Sequence, residues 1–180
     1  MNLYKFHNTP ESLDFYEKVS ETNPELFFFL YQGVPDELKK REKYIATDAK
    51  YAYYYAYYTL EALFPAGEAA IAKDAEYACY YAKNVLKGPF PKGEAAIAKD
   101  AYYAHRYAED VLNGPFPAGE EAISKDAYNA GIYARDVLHG PFPAGEAVIA
   151  KDVYFAHQYA KYALKKDFYL DGKLIAKFEK

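Results

Sequence analysis

The sequence contains no tryptophan, and only one methionine and one cysteine, Cys79, among its 180 residues. A single cysteine excludes an internal disulfide and suits a reducing compartment. Neither sign of charge dominates: 22 Lys and Arg stand against 26 Asp and Glu, a net charge of -4. That balance gives no general attraction to nucleic acid or to anionic membranes. Long hydrophobic runs are missing as well. The longest strongly apolar stretch is Leu26-Phe-Phe-Phe-Leu-Tyr31, far below the ~20 residues of a membrane span. The opening residues, Met-Asn-Leu-Tyr-Lys-Phe-His, carry no apolar signal-peptide region. The expectation is a soluble cytoplasmic protein with no membrane partner. What the chain does have is apolar bulk: 52% of its residues are hydrophobic, which argues against disorder. It also has 22 tyrosines.

The tyrosines fall into a repeat. Phe64-Pro-Ala-Gly-Glu68 returns as Phe90-Pro-Lys-Gly-Glu94, Phe116-Pro-Ala-Gly-Glu120 and Phe142-Pro-Ala-Gly-Glu146, always 26 residues on. Ile-Ala-Lys-Asp keeps the same register at 71–74, 97–100 and 149–152, with Ile123-Ser-Lys-Asp126 between. Ile45-Ala-Thr-Asp48 and Ile175-Ala-Lys177 extend the register in both directions. Five copies result, at 38–63, 64–89, 90–115, 116–141 and 142–167. Residues 168–180 read as a truncated sixth copy, and residues 1–37 as a degenerate N-terminal one. Atypical end units close the core of a repeat array against water.

Each copy predicts two helices. In the copy from Phe64, Pro65 marks a helix start and Glu68 lies in the first turn, where a carboxylate offsets the helix dipole. This gives a short helix over about 65–73. Asp74 then caps a second helix, which Gly88 and Pro89 stop near Lys87. On a wheel of about 100° per residue, the slots of Ala75, Ala78, Tyr81, Ala82, Val85 and Leu86 stay alike between copies. They cover one arc of roughly 140°, a buried face. The slots of Glu76, Cys79, Tyr80, Lys83, Asn84 and Lys87 vary, and cover the opposite arc. A lone hairpin of this size cannot bury its apolar face, so stacking is required. The predicted fold is all-α: an α-solenoid of tandem 26-residue helical hairpins with degenerate capping units.

Catalytic chemistry finds little support. The recurring pairs Glu68 with Asp74, Glu94 with Asp100 and Glu120 with Asp126 have the residue types for acid–base catalysis. Both members, however, stand where helix capping wants them. His105 and His157 share a slot two layers apart, and so do not converge on a metal. His7 and His139 add no ligand pattern. Cys79 reads as a small residue at the apolar edge, and the Gly-Pro-Phe-Pro-x-Gly-Glu loop lacks the features of a phosphate loop. No enzyme activity, cofactor or metal is expected.

The variable arc of the longer helix is the candidate surface. It carries Tyr53, Tyr54, Tyr57 and Tyr58 in the first copy, and Tyr80 with Lys83 in the second. Tyr102, His105 and Arg106 follow, then Tyr128 and Arg135, then Tyr154, His157 and Lys161. Tyrosine and arginine on a rigid surface are the usual material of protein-binding hot spots. The alternative is a binder of nucleotides or single-stranded nucleic acid, with tyrosines stacking on bases and Lys or Arg on phosphates. The mixed charge of the arc favours protein.

The pattern Tyr-Ala-x-x-Val-Leu-x-Gly-x-Phe-Pro-x-Gly-Glu, at Tyr107–Glu120 and Tyr133–Glu146, resembles short helical-repeat proteins of large tailed bacteriophages. The resemblance covers residues 38–167. It implies a phage-encoded protein at work in the cytoplasm of a bacterial host cell, and it brings no activity and no functional residues with it. The expectation is therefore a phage factor that binds and modulates or inhibits a host protein, such as a defence protein.

Overall fold

A computed structural model describes residues 42–179, together with Lys18, Thr22, Asn23, Lys39 and Lys40. The expected N-terminal capping segment, 1–37, lies almost wholly outside these residues. The chain divides into two compact units, Met1–Ile71 and Ala72–Lys180.

In the first unit, helix α1 spans Glu42–Ile45 and α2 spans Ala49–Tyr54, continuing as a π-helix over Tyr55–Leu60; α3 is Glu68–Ile71. Asp48 caps α2 through a bond from the Tyr51 amide at 3.0 Å. Tyr55 is buried edge-on against Phe64, and its hydroxyl donates to Glu42 at 2.8 Å.

The second unit repeats this plan. The long helices are α4 (Ala75–Tyr80, then π over Tyr81–Leu86), α6 (Ala101–Tyr107, π over Ala108–Leu112), α8 (Ala127–Ile132, π over Tyr133–Val137) and α10 (Val153–Gln158, π over Tyr159–Leu164). The short helices between them are α5 (Pro91–Ile97), α7 (Glu120–Ile123, led by a 3₁₀ turn over Pro117–Gly119) and α9 (Pro143–Ile149). The all-α repeat architecture is as expected. Consecutive long helices lie side by side, and the short helices pack against them.

The repeat's invariant residues explain the packing. Each short helix has its closest neighbour in the long helix before it, because glycine lets the backbones meet. A Cβ placed on Gly93 would come within 2.6 Å of the Phe90 ring and 2.7 Å of Ala78 Cβ, and Gly119 and Gly145 are equally confined. The hairpin inferred from the sequence, short helix then long, is thus one cut through a continuous alternation in which the tighter contact is long then short. The phenylalanines of the loops plug the core: Phe90, Phe116 and Phe142 are buried, and each meets a buried tyrosine edge-on at 5.1–5.3 Å. Every long helix of this unit begins at its capping aspartate, with Asp74, Asp100, Asp126 and Asp152 each accepting from a first-turn amide.

The end of the chain departs from expectation. Residues 168–180 were expected to form a truncated helical copy. Instead β1 (Phe168–Leu170) and β2 (Lys173–Ala176) form an antiparallel hairpin. Asp171 and Gly172 both take positive φ, 50° and 76°, the demand of a tight two-residue hairpin turn that Asp-Gly meets. The core contact of the repeat survives at Phe168. Phe168 stands 26 after Phe142 and is buried against Tyr159 at 5.0 Å. The next residue is tyrosine where the copies have proline, so the helix start signal is gone and the phenylalanine plug is delivered by a strand.

Candidate interaction surface

The surface is built by the first turns of the long helices. Tyr102, Tyr128 and Tyr154 each occupy the second residue of α6, α8 and α10, just after the capping aspartate. The same cap therefore sets all three rings in register. They are 47%, 49% and 65% exposed, so this slot presents its ring to solvent in every copy that carries tyrosine there. Neighbouring aromatics hold the rings in place. Tyr102 meets Tyr103 at 5.1 Å, Tyr154 meets Phe155 at 5.3 Å, and Tyr128 crosses to Phe155 of the next helix at 5.8 Å. Tyr80 crosses in the same way to Tyr103 at 6.1 Å.

The basic side chains of this region are largely paired with acids. Arg106 binds Asp110 at 2.6 Å and Glu109 at 3.2 Å, and Lys83 reaches Asp110 from α4 at 3.0 Å. Arg135 is bound to Asp136 at 2.6 Å, which holds the Asp136 carboxyl below its ordinary value. Lys161 lies over the Tyr162 ring at 5.5 Å. His157 is exposed, with Nδ1 2.7 Å from the Val153 carbonyl oxygen.

Two small clefts open between the long helices. One, of about 160 Å³, lies between α4 and α6 and is lined by Cys79, Tyr80, Lys83, Tyr102, Tyr103, Arg106 and Asp110. The other, of about 70 Å³, lies between α8 and α10, with Tyr128, Gly131, Ile132, Arg135, Tyr154, Phe155 and Gln158. Between α6 and α8 the corresponding place is filled by His105 and Asn129, bonded to each other at 2.7 Å. No family model, curated protein or solved structure matches this chain.

Two of the expected surface residues are not on the surface. Tyr53 and His105 are buried, at 5% and 3% exposure. The wheel gave each long helix one buried face, but α6 packs against α4 and α8 on its flanks as well as against the short helices. The slot of Cys79 and His105 faces such a flank. In the first unit, Tyr54 is half-buried while Tyr57 and Tyr58 are exposed. There Tyr53 and Tyr57 stack in parallel at 5.7 Å, and Tyr57 and Tyr58 meet edge-on at 4.7 Å. Tyr103, Phe155 and Asn129 contribute to the junctions and were not among the expected residues. Their slot is that of Tyr77, at the boundary of the two arcs, and the aromatic residues in it were the available signal.

The Cys79 thiol is buried and pushed up to about 12, chiefly by burial and then by Asp110, with Arg106 and Lys83 pulling the other way. It is a thiol, not a nucleophilic thiolate, at neutral pH. Burial, with Glu76 beside it, also raises the Tyr103 hydroxyl above its ordinary value. Among the described residues no group of three His, Cys, Asp or Glu side chains is placed to hold a metal ion. Nor is any helix among them long and apolar enough to cross a membrane.

Proposed function

We propose that this protein is a non-enzymatic scaffold whose row of tyrosines, Tyr102, Tyr128 and Tyr154, binds a partner protein. The observation that carries this reading is the repetition of one half-exposed ring, in the same slot, on three consecutive helices. Tyrosine buries a large area on binding at little conformational cost and is enriched at hot spots. Here the neighbouring aromatics have already limited each ring's freedom, which lowers that cost further. The carboxylates around Arg106 and Arg135 favour a protein over a polyanion, because a phosphate backbone would have to displace them. The resemblance to phage repeat proteins supplies the setting, a phage-encoded factor that modulates or inhibits a host protein in the bacterial cytoplasm.

The test is affinity capture from bacterial lysate, with wild type and the triple variant Tyr102→Ala, Tyr128→Ala, Tyr154→Ala compared at equal helicity. The reading expects a stoichiometric partner whose affinity falls by tenfold or more in the variant, since hot-spot tyrosines contribute at least ~1–2 kcal/mol each. A partner that stays bound to the triple variant places the site elsewhere. Salt-sensitive binding of oligonucleotides, in place of any protein, would transfer the function to nucleic acid.

A further inference from the structure

Tyrosines and Cys79 apart, the buried polar side chains among the described residues are His105 and Asn129, and they are bonded to each other. They join neighbouring long helices. The α4/α6 and α8/α10 contacts at this level are made by aromatic pairs, Tyr80 with Tyr103 and Tyr128 with Phe155. One junction of the series is thus polar where its neighbours are aromatic.

The bond is sharply defined. Asn129 donates Nδ2–H to Asp126 Oδ1 at 2.9 Å, and its backbone amide donates to the same oxygen at 2.8 Å. Its carbonyl oxygen is thereby turned to His105, whose Nδ1–H donates at 2.7 Å. The donor is Nδ1–H, which the neutral Nδ1–H tautomer and the imidazolium both carry, so it is burial, and not this bond, that separates the two states. The other nitrogen, Nε2, lies 3.8 Å from Glu109 Oε2, which Arg106 already engages. The Tyr102 ring closes the outer side at 5.7 Å.

We propose that the α6/α8 junction is a proton-sensitive hinge, closed while the His105 imidazole is neutral and loosened when it becomes imidazolium. The groups that bear on the imidazole are these. On its own helix stand Glu109 and Asp110, which favour the cation, and Arg106, which opposes it. Asn129 and the Asp136 carboxylate act from α8. From α4, Lys83 holds Asp110. Arg106 is bound to both Glu109 and Asp110, and Arg135 to Asp136, so each nearby carboxylate is already partly neutralised. Burial therefore prevails, and the imidazole is held below its ordinary value of 6.5. The neutral form is the one the fold prefers. Its contribution is present above the unfolded value and is lost as pH falls through about 6.5 and below. His157, in the same slot of α10, is exposed and serves as an internal control.

The experiment has two readouts on the full chain. In a histidine NMR titration, His105 is expected to titrate below its ordinary value of 6.5 and, while neutral, to show the Nδ1–H tautomer. In hydrogen exchange corrected for intrinsic rates, acidification from about pH 7.5 to about pH 5.5 should speed exchange in α6 and α8 by roughly tenfold more than in α4. That excess should vanish in His105→Gln and persist in His157→Gln. The wild-type titration is the arm that does not depend on the folding of the glutamine variant. Titration of His105 at or above its ordinary value of 6.5, an equal loss of protection at the aromatic junctions, or an acid-sensitive excess that survives in His105→Gln would overturn the proposal.

Discussion

The residue that does most to hold each copy is its buried tyrosine. The Tyr133 hydroxyl accepts from the Phe116 amide at 2.9 Å and donates to Glu120 at 2.9 Å. Tyr107 does the same with Phe90 and Glu94, and Tyr159 with Phe142 and Glu146. One hydroxyl thus satisfies a loop amide that would otherwise be buried without a partner, and fixes the glutamate of the following short helix turn. The recurring glutamate is more than a dipole-facing residue, since its carboxylate receives a hydrogen bond from the core. Tyr133→Phe removes both bonds and leaves two polar groups unsatisfied, at about 1–3 kcal/mol. Tyr128→Phe, on the exposed row, should stay within about 0.5 kcal/mol of wild type. Urea unfolding of the two variants compares them directly. Equal stabilities would show that the buried hydroxyl contributes nothing net.

At the scale of the element, the long helices share an unusual second half. Each turns from α to π at its buried tyrosine or one residue later, and most end in a left-handed residue. In α4 that residue is Lys87, with φ of 53°, and not the glycine that follows it. The amides of Lys87 and Gly88 both point to the Ala82 carbonyl, a helix-terminating loop widened by the π pitch. Left-handed backbone strains a residue with a Cβ by ~1–2 kcal/mol, while glycine there gives back ~0.4–1 kcal/mol through the unfolded chain. Lys87→Gly should therefore stabilise the protein by about 0.5–1 kcal/mol, visible as a higher midpoint in thermal unfolding. A lower midpoint would show that the lysine side chain contributes more than its backbone strain costs. The π segments also explain why the wheel loses accuracy toward the helix ends. Residues bonded five apart advance by less than the 100° assumed for an α-helix, and Val85 and Leu86, placed on the buried arc, are only half-buried.

Across the whole molecule the repeated tyrosines produce a collective response to alkali. Burial, followed by the adjacent glutamate where it accepts the hydroxyl proton, raises Tyr55, Tyr107, Tyr133 and Tyr159 above the ordinary value of 10.0, Tyr133 to about 12. In Tyr107, Tyr133 and Tyr159 the loop amide opposes the rise. A group whose folded pKa is raised contributes stability that is whole below the unfolded value and is lost as pH climbs through the folded one. Stability should therefore be level up to about pH 10 and fall steeply between there and about pH 12. Tyrosinate absorbance from these four buried rings should rise together with loss of helical circular dichroism. Complete tyrosine ionisation with helicity intact would contradict the buried network.

The sequence alone determined the period, the alternation of short and long helices, the aspartate caps and the exposed tyrosine row, because each rests on local chemistry repeated every 26 residues. The C-terminal hairpin was legible too, in Asp171-Gly172, but the repeat register drew the reading toward a helix. Tertiary structure decided what one helical wheel cannot hold. Flank packing of α6 between α4 and α8 buried His105, and only a neighbouring helix could bring Asn129 to it. The same packing made the short helix belong as much to the copy before it as to its own, because the glycine contact runs to the preceding long helix. Local propensity sets which element forms. Which of its sides is wet depends on neighbours that lie 26 residues away in sequence and in direct contact in space.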